Sequence, residues 1–172
     1  GLDQVACQIQ YSGLRAHQLF ASEIDEAALK FIGANHKPDM PVTDIKRRMR
    51  PAVRLHFYAA GPPCQPFSKM GNLKGLRDSR GNMMLQSIKY IEDCRPKTFV
   101  LENVENISSV SGGGDLDKIM SVLRQLPDSS RPDLRERGEH KHQYKIYSQV
   151  LNALDSCVPQ QRCRWFCVGI RL

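Results

Sequence analysis

The sequence predicts an α/β fold: an open, mostly parallel sheet with one antiparallel edge strand. An apolar run at 55–60 has the length of a buried strand and stops at a Gly-Pro-Pro turn, where proline cannot continue a ladder. Strand-like and helical segments alternate along the chain, as expected for strand-helix-strand units. Two strand-like segments at 144–150 and 165–170 have no helix between them, which predicts an antiparallel pair at the sheet edge.

The first half of the chain predicts a strand at 17–22 and a helix that ends near Asn35. Asp25 is expected to cap this helix, because its side chain can accept a backbone N–H of the first turn. The buried stripe of the helix is expected to consist of Ala28, Leu29 and Ile32. Glu23 follows the strand, where an acid commonly holds a ribose hydroxyl; a solvated charge at the helix entry is the alternative.

The second half predicts a helix at 82–94, a strand at 98–101 that ends in Glu102, and a further amphipathic helix. The stripe of the first helix is expected at Met84, Leu85, Ile88 and Ile91, and that of the second at Leu116, Ile119, Met120 and Leu123. Residues 108–115 are interpreted as a flexible link. Residues 127–143 are polar, with four basic residues balanced by four acidic ones, and are predicted to form an exposed insertion.

Composition limits the functional classes. The 172 residues suffice for one domain, and 25 Lys and Arg against 18 Asp and Glu give a net charge of +7, which fits an acidic polymer such as nucleic acid as partner. No apolar stretch reaches membrane-spanning length, so no membrane partner is expected. The six cysteines form no CxxC pair, which predicts no metal site and a reducing, intracellular compartment.

Four chemically capable side chains are expected at one edge of the sheet: Cys64 after the first proline-rich turn, Glu102 after the next strand, and Arg162 and Arg164 at the start of the returning strand. A thiolate there can attack an electron-poor carbon. The acid can protonate a ring nitrogen, and the arginines can hold an oxygen of the same ring. The alternative for Cys64 is a buried cysteine in a turn.

Several ordered motifs resemble those of the cytosine carbon-5 methyltransferases. They are PPCQPFS at the cysteine, ENV at 102–104, VLNALDSCVPQQRCR before the last strand, GLRDSRG after the cysteine, and SEID and TDI before it. The resemblance implies a Rossmann-like S-adenosylmethionine-dependent methyltransferase fold, with residues 1–172 as one partial catalytic domain. The family's first strand, target-recognition region and final motif are expected to be missing, so the fold is expected to be truncated at both ends.

The resemblance also implies the chemistry. Cys64 would add to carbon 6 of a flipped-out cytosine in DNA, Glu102 would act at ring nitrogen 3, and Arg162 and Arg164 would organise the base and the acid. Carbon 5 would take the methyl group of S-adenosyl-L-methionine. The implied cofactor residues are Gly1, Leu2, Glu23, Ile24, Asp44, Ile45, Pro63 and Met83, and the implied substrate residues are Gln65, Ser68 and Asn103.

Two alternatives remain open on the sequence. The transfer-RNA branch of the same family shares these motifs, and a non-catalytic remnant could serve as a binding module. The resemblance implies an intracellular protein, nuclear in a eukaryote and cytoplasmic in a bacterium. The 172 residues on their own are expected to be inactive, because a central strand and the recognition region are expected to be missing.

Overall fold

The computed structural model describes residues 17–36, 38–40, 44–47, 55–63, 82–126 and 143–172. The chain divides into two compact units, Gly1–Met49 and Arg50–Leu172. The first unit contains helix α1 (Glu26–Asn35) and a short 3-10 helix (Ile45–Arg47). The described residues of the second unit form a four-stranded sheet, helices α2 (Asn82–Cys94) and α3 (Gly114–Arg124), and three further 3-10 helices, Glu105–Ser108, Val110–Gly113 and Ala153–Ser156.

The sheet of the second unit is mixed. Its strands are β1 (Phe57–Ala60), β2 (Thr98–Val104), β3 (Tyr144–Asn152) and β4 (Cys163–Arg171), in the spatial order β1-β2-β4-β3. The β1–β2 ladder is parallel, while β4 runs antiparallel to both β2 and β3. The predicted α/β class and the antiparallel pair at the sheet edge are therefore confirmed.

Strand β2 is longer than the sequence predicted. It continues through Val104, because β4 supplies backbone partners along its whole length, as far as the pair of Val104 with Arg164. Glu102 therefore lies inside the strand, not after it. The strand predicted at 17–22 is wrong for the described residues, which contain a single bridge residue, Ser22. The carbonyl oxygen of Leu19 instead accepts a hydrogen bond from the backbone N–H of Met40, at 2.9 Å.

Helix α1 begins as predicted. The Asp25 side chain accepts a hydrogen bond from the Ala28 backbone N–H at 2.9 Å, which satisfies one of the unpaired donors of the first turn. The predicted stripe of Ala28, Leu29 and Ile32 faces the interior of the unit only partly, since no residue of this helix is fully buried.

Helix α2 has the predicted bounds, but one member of its predicted stripe is wrong. Leu85 is 37% exposed, and Ser87 is buried in its place. Met84, Ser87, Ile88 and Ile91 follow the helical spacing of three and four residues. A serine is tolerated there because its hydroxyl donates to the backbone carbonyl of Met83 at 3.0 Å.

Helix α3 buries Ile119, Met120 and Leu123 as predicted, whereas Leu116 is half-buried. The segment at 108–115 is not an irregular link. It consists of the end of one 3-10 helix, a second 3-10 helix and the start of α3. Gly113 precedes α3 with φ +88°, a conformation that glycine adopts without steric cost. The predicted insertion at 127–143 lies outside the described residues except for Gln143, which is buried.

The core of the sheet lies on one of its faces. Phe99 and Leu101 of β2 and Trp165 and Cys167 of β4 are at most 1% exposed, and alternate residues of both strands face the other way. Tyr58 of β1 packs on the ring of Tyr90 of α2, with 5.3 Å between the ring centroids. None of the helices in the described segments is both long and apolar enough to span a membrane.

Candidate active site

An acid and an arginine meet where β2 ends and β4 begins. Glu102 lies two residues before Val104, the residue that pairs with Arg164, so the two side chains share one face as diagonal neighbours. Arg164 Nε lies 3.0 Å from Glu102 Oε1. Arg164 Nη1 also donates to the Cys163 carbonyl oxygen at 2.8 Å, which fixes the guanidinium from a second side. The acid and the arginine thus lie together at one sheet edge, as expected, and their chemical roles stay a prediction.

The turn after β1 is held against the end of β2. The buried Asn103 side chain donates from Nδ2 to the carbonyl oxygen of Pro62 at 3.3 Å. On the opposite face of β2, Glu102 lies against Gly61: a Cβ atom there would be 3.2 Å from Glu102 Oε2, tighter than most van der Waals contacts. The end of β2 therefore supports the chain segment that leads directly into Cys64.

Asn152 organises the connection between β3 and β4. Its Oδ1 accepts the backbone N–H groups of Leu154, at 3.3 Å, and Arg162, at 3.1 Å. The Arg162 carbonyl accepts the N–H of Ala153 at 3.1 Å. These bonds fix the backbone of Arg162 immediately before β4 and leave its side chain exposed, without an acidic partner among the described residues.

A cleft of about 380 Å³ opens beside Arg164, the basic partner of Glu102. Two segments form its walls, the end of β2 with the residues after it and the start of β4 with the residues before it; they contribute Val104, Glu105, Asn106, Gln160, Gln161, Arg162, Cys163 and Arg164. Burial, followed by a hydrogen bond with Glu105, raises the pKa of the Cys163 thiol. The thiol is therefore neutral at physiological pH and is a poor nucleophile.

Two of the predicted cofactor residues in the first unit have the chemistry of a nucleoside site. Glu23 Oε1 accepts the backbone N–H groups of Ile24 and Asp25, at 2.7 and 3.0 Å, which fixes the carboxylate. Among the described residues its Oε2 has no hydrogen-bond partner, so it can accept from ribose hydroxyls. Ile24 is 74% exposed and presents an apolar surface on which a base can stack.

Asp44 and Ile45 stand at the start of the 3-10 helix of the first unit. Asp44 Oδ1 accepts the backbone N–H of Lys46 at 2.9 Å, and Ile45 is half-buried. In the second unit, Pro63 is exposed and Met83 is half-buried at the start of α2. These positions are compatible with ligand contact. Gly1, Leu2, Cys64, Gln65 and Ser68 lie outside the described residues.

Gly61 and Asn152 were not among the residues predicted for the site. A glycine before two prolines is interpreted as part of the turn, and only the fold shows that an added side chain there would crowd the Glu102 carboxylate. Asn152 had a usable signal, since an asparagine just before a tight turn often accepts nearby backbone N–H groups. In the described segments, no group of three His, Cys, Asp or Glu side chains is arranged to hold a metal ion.

Solved structures of methyltransferases share this fold. The Dnmt2 methyltransferase of S. pombe superimposes with a TM-score of 0.62 over 95% of this chain and 46% of its own, at 18% identity. The Entamoeba histolytica methyltransferase EhMeth gives 0.56 over 88% of this chain and 44% of its own, also at 18% identity. The chain therefore shares the α/β fold of these methyltransferases.

The chain belongs to the C-5 cytosine-specific DNA methylase family, whose model matches residues 6–172. It is 33% identical to the type II methyltransferase M.NlaX of Neisseria lactamica over 88% of this chain and 44% of the relative. It is 39% identical to M.AquIA of Picosynechococcus over 70% of this chain and 45% of the relative. The chain spans less than half the length of these relatives.

Proposed function

We propose that the protein methylates carbon 5 of cytosine in DNA through a covalent adduct between Cys64 and a flipped-out base. The observation that carries the proposal is the ion pair of Glu102 with Arg164 at 3.0 Å, beside the turn that leads into Cys64. An acid fixed at the strand end, next to a turn that presents a thiol, is the arrangement that such chemistry requires.

The proposed reaction begins when the Cys64 thiolate forms a bond to carbon 6 of the cytosine ring. Glu102 in its protonated form donates a proton to ring nitrogen 3, and the ring electrons concentrate on carbon 5. Carbon 5 would then bond to the methyl group as the bond between the methyl carbon and the donor's sulfur breaks, and the donor would leave as a neutral thioether. A base removes the carbon-5 proton, the electrons of that C–H bond expel the Cys64 thiolate, and ring nitrogen 3 returns its proton to Glu102, which restores the aromatic ring.

Arg164 is the residue that holds Glu102 for this step. The side chains of Arg164 and Glu102 are 26% and 35% exposed, so the carboxyl group is accessible from solvent, and Arg164 also lines the neighbouring cleft. Arg162 has a fixed backbone and an exposed side chain, which suits contact with an oxygen of the base or its phosphate. Gln65 and Ser68 are retained as substrate residues of this proposal.

S-adenosyl-L-methionine would supply the methyl group. Glu23 and Ile24 fit its nucleoside part, because the carboxylate is oriented by two backbone N–H groups and the isoleucine is largely exposed. The resemblance assigns Asp44, Ile45, Pro63, Met83, Gly1 and Leu2 to the cofactor as well. The described cysteines are all free thiols, which fits an intracellular protein.

DNA is favoured over transfer RNA as the substrate. The family description specifies DNA, and the curated relatives are named type II methyltransferases. The excess of basic residues suits either nucleic acid and does not distinguish between them.

The test is transfer of labelled methyl groups from S-adenosyl-L-methionine by the full-length protein. DNA and transfer RNA are offered separately, and the product is digested to nucleosides. We expect 5-methylcytosine in DNA, and none with the Cys64→Ser variant, because a hydroxyl is a far weaker nucleophile than a thiolate at neutral pH. Methylation of transfer RNA alone, or nucleic-acid binding without any transfer, would contradict the proposal.

A further inference from the structure

The turn after β1 has few backbone donors of its own. Pro62 and Pro63 follow Gly61 directly, and neither proline has a backbone N–H. The turn can still accept hydrogen bonds, through its carbonyl oxygens, from donors elsewhere in the fold. Among the described residues, the donor that reaches it is Asn103 Nδ2, which lies 3.3 Å from the Pro62 carbonyl oxygen.

The Asn103 amide is itself fixed. Its Oδ1 accepts the backbone N–H of Val104 at 2.9 Å, which leaves the NH₂ group as the end that points to the turn. The residue is 1% exposed, so its side chain is out of reach of a substrate in the open cleft. Burial favours a role through the turn over the direct substrate contact that the motif implied.

The turn is supported from the other face of the same strand as well. Glu102 Oε2 lies against Gly61, and the next residue, Asn103, holds Pro62. Successive residues of a strand point to opposite faces, so Glu102 and Asn103 contact the turn from the two faces of β2. The carboxyl group and the segment that leads into Cys64 are thereby tied to one short piece of backbone.

We propose that Asn103 is a positioning residue that sets the placement of Cys64 relative to Glu102 through the Pro62 carbonyl. This role rests on the proposed function. A reacting group displaced by about 1 Å loses on the order of a hundredfold in rate without a change in binding. Asn103 therefore acts on the chemical step, and not on affinity for DNA or cofactor.

The first test compares Asn103→Leu with a matched control, Ser148→Ala, in the full-length protein. The control removes the oxygen that accepts from Trp165 Nε1 at 2.8 Å, and Trp165 is the residue that pairs with Asn103 across the sheet. It therefore costs a neighbouring hydrogen bond without touching the turn. We expect Asn103→Leu to slow single-turnover methyl transfer by about tenfold or more, and the control to stay within about twofold. The KM for DNA and the dissociation constant of S-adenosyl-L-methionine should hardly change.

The second test uses pH. In Asn103→Asp, the ionised carboxylate cannot donate to the Pro62 carbonyl, whereas the protonated form can. Burial raises the pKa of such a carboxyl group, so lowering the pH should restore the donor and increase the single-turnover rate relative to the wild type. A residue that only filled space would give no such pH profile. If Asn103→Leu does not fold, this profile decides the matter.

The outcomes separate the two proposals. If methylation requires Cys64 but Asn103→Leu is as fast as Ser148→Ala, or the relative rate of Asn103→Asp does not change with pH, the role of Asn103 is wrong and the proposed function stands. If the wild type forms no 5-methylcytosine, or Cys64→Ser still forms it, the proposed function fails first. The positioning role is supported if two results are found together. Asn103→Leu must slow single-turnover methyl transfer with unchanged affinities for DNA and S-adenosyl-L-methionine, and the relative rate of Asn103→Asp must rise at low pH.

Discussion

Glu102 and Arg164 form an ion pair whose side chains are 35% and 26% exposed. A pair this accessible to water contributes only about 0–1 kcal/mol to stability. Its value is therefore geometric: Arg164 holds one carboxyl oxygen, and Gly61 leaves room for the other. Without these two constraints a partly exposed glutamate side chain would sample several rotamers.

Glu102→Gln should slow the chemical step by about a hundredfold or more, the usual scale of acid–base assistance. The amide still hydrogen-bonds but cannot give up a proton to ring nitrogen 3. Single-turnover rates measure the effect, and equilibrium binding of S-adenosyl-L-methionine should be unchanged. Loss of cofactor affinity at an unchanged chemical rate would show that Glu102 has another role.

Cys157 is strained at the turn before β4. It is exposed and has φ +59°, in the left-handed region that costs a non-glycine residue about 1–2 kcal/mol. Cys157→Gly should therefore stabilise the fold by about 1 kcal/mol, as measured by chemical denaturation. Cys94→Gly, at the last residue of α2, is the matched control and should destabilise it, because glycine favours helix less than cysteine does. If Cys157→Gly and Cys94→Gly both lower the free energy of unfolding, the backbone of Cys157 is not strained.

At the scale of elements, the pairing of β2 with β4 depends on a glycine. Gly169 is opposite Phe99, and a Cβ atom at this position would lie 2.1 Å from the phenyl ring. The ring is fully buried and cannot move aside without displacing the core. The close approach of the two strands requires the absence of a side chain here.

Gly169→Ala should destabilise the protein by about 3 kcal/mol, the upper range for an overpacked core. Gly33→Ala is the matched control, since Gly33 lies in α1 and a Cβ atom added there would meet no other atom within 4 Å. This change should stabilise by about 0.5–1 kcal/mol, because alanine favours helix more than glycine does. Both are measured from denaturant midpoints. Equal effects of the two substitutions would mean that the Phe99 contact is not rigid.

The sheet should also lose stability at alkaline pH. Burial raises the pKa of Tyr144 on β3 and of Cys167 on β4 to about 12, from ordinary values of 10.0 and 9.0. Both groups ionise more readily in the unfolded chain, so their contribution is complete below pH 9 and is lost as the pH rises towards 12. In Cys167→Ala, the free energy of unfolding should fall less steeply with pH above about pH 9, as measured by denaturation at a series of pH values. The same slope in this variant and in the wild type would show that the thiol is not shielded from water.

At the scale of the whole molecule, the sequence was sufficient for the α/β class, for α2 and for the β3–β4 pair. Those elements follow from hydrophobic periodicity, which is a local property. The length of β2 could not be predicted from the local sequence, because pairing with β4 determines how far the strand extends. The contact of Gly61 with Glu102 and the bond of Asn103 to Pro62 join residues about forty positions apart and could be found only from the fold.

The placement of Glu102 and Arg164 was predicted because both follow from strand direction. The burial of Asn103 was not predicted. Its neighbours in the ENV motif, Glu102 and Val104, point to the opposite face of β2 and are only half-buried. The alternation of faces at β2 thus gives two adjacent polar residues different surroundings: Glu102 is partly exposed beside Arg164, and Asn103 is buried against the turn.

Cys64 is proposed to be the nucleophile that attacks cytosine beside Glu102. The most direct measurement is covalent trapping of the full-length protein on DNA that contains 5-fluorocytosine, in the presence of S-adenosyl-L-methionine, because fluorine blocks the final elimination. Digestion and mass spectrometry should locate the DNA adduct on the peptide that carries Cys64, and Cys64→Ser should give none. An adduct on another cysteine, such as Cys163, or trapping that survives Cys64→Ser, would contradict the account.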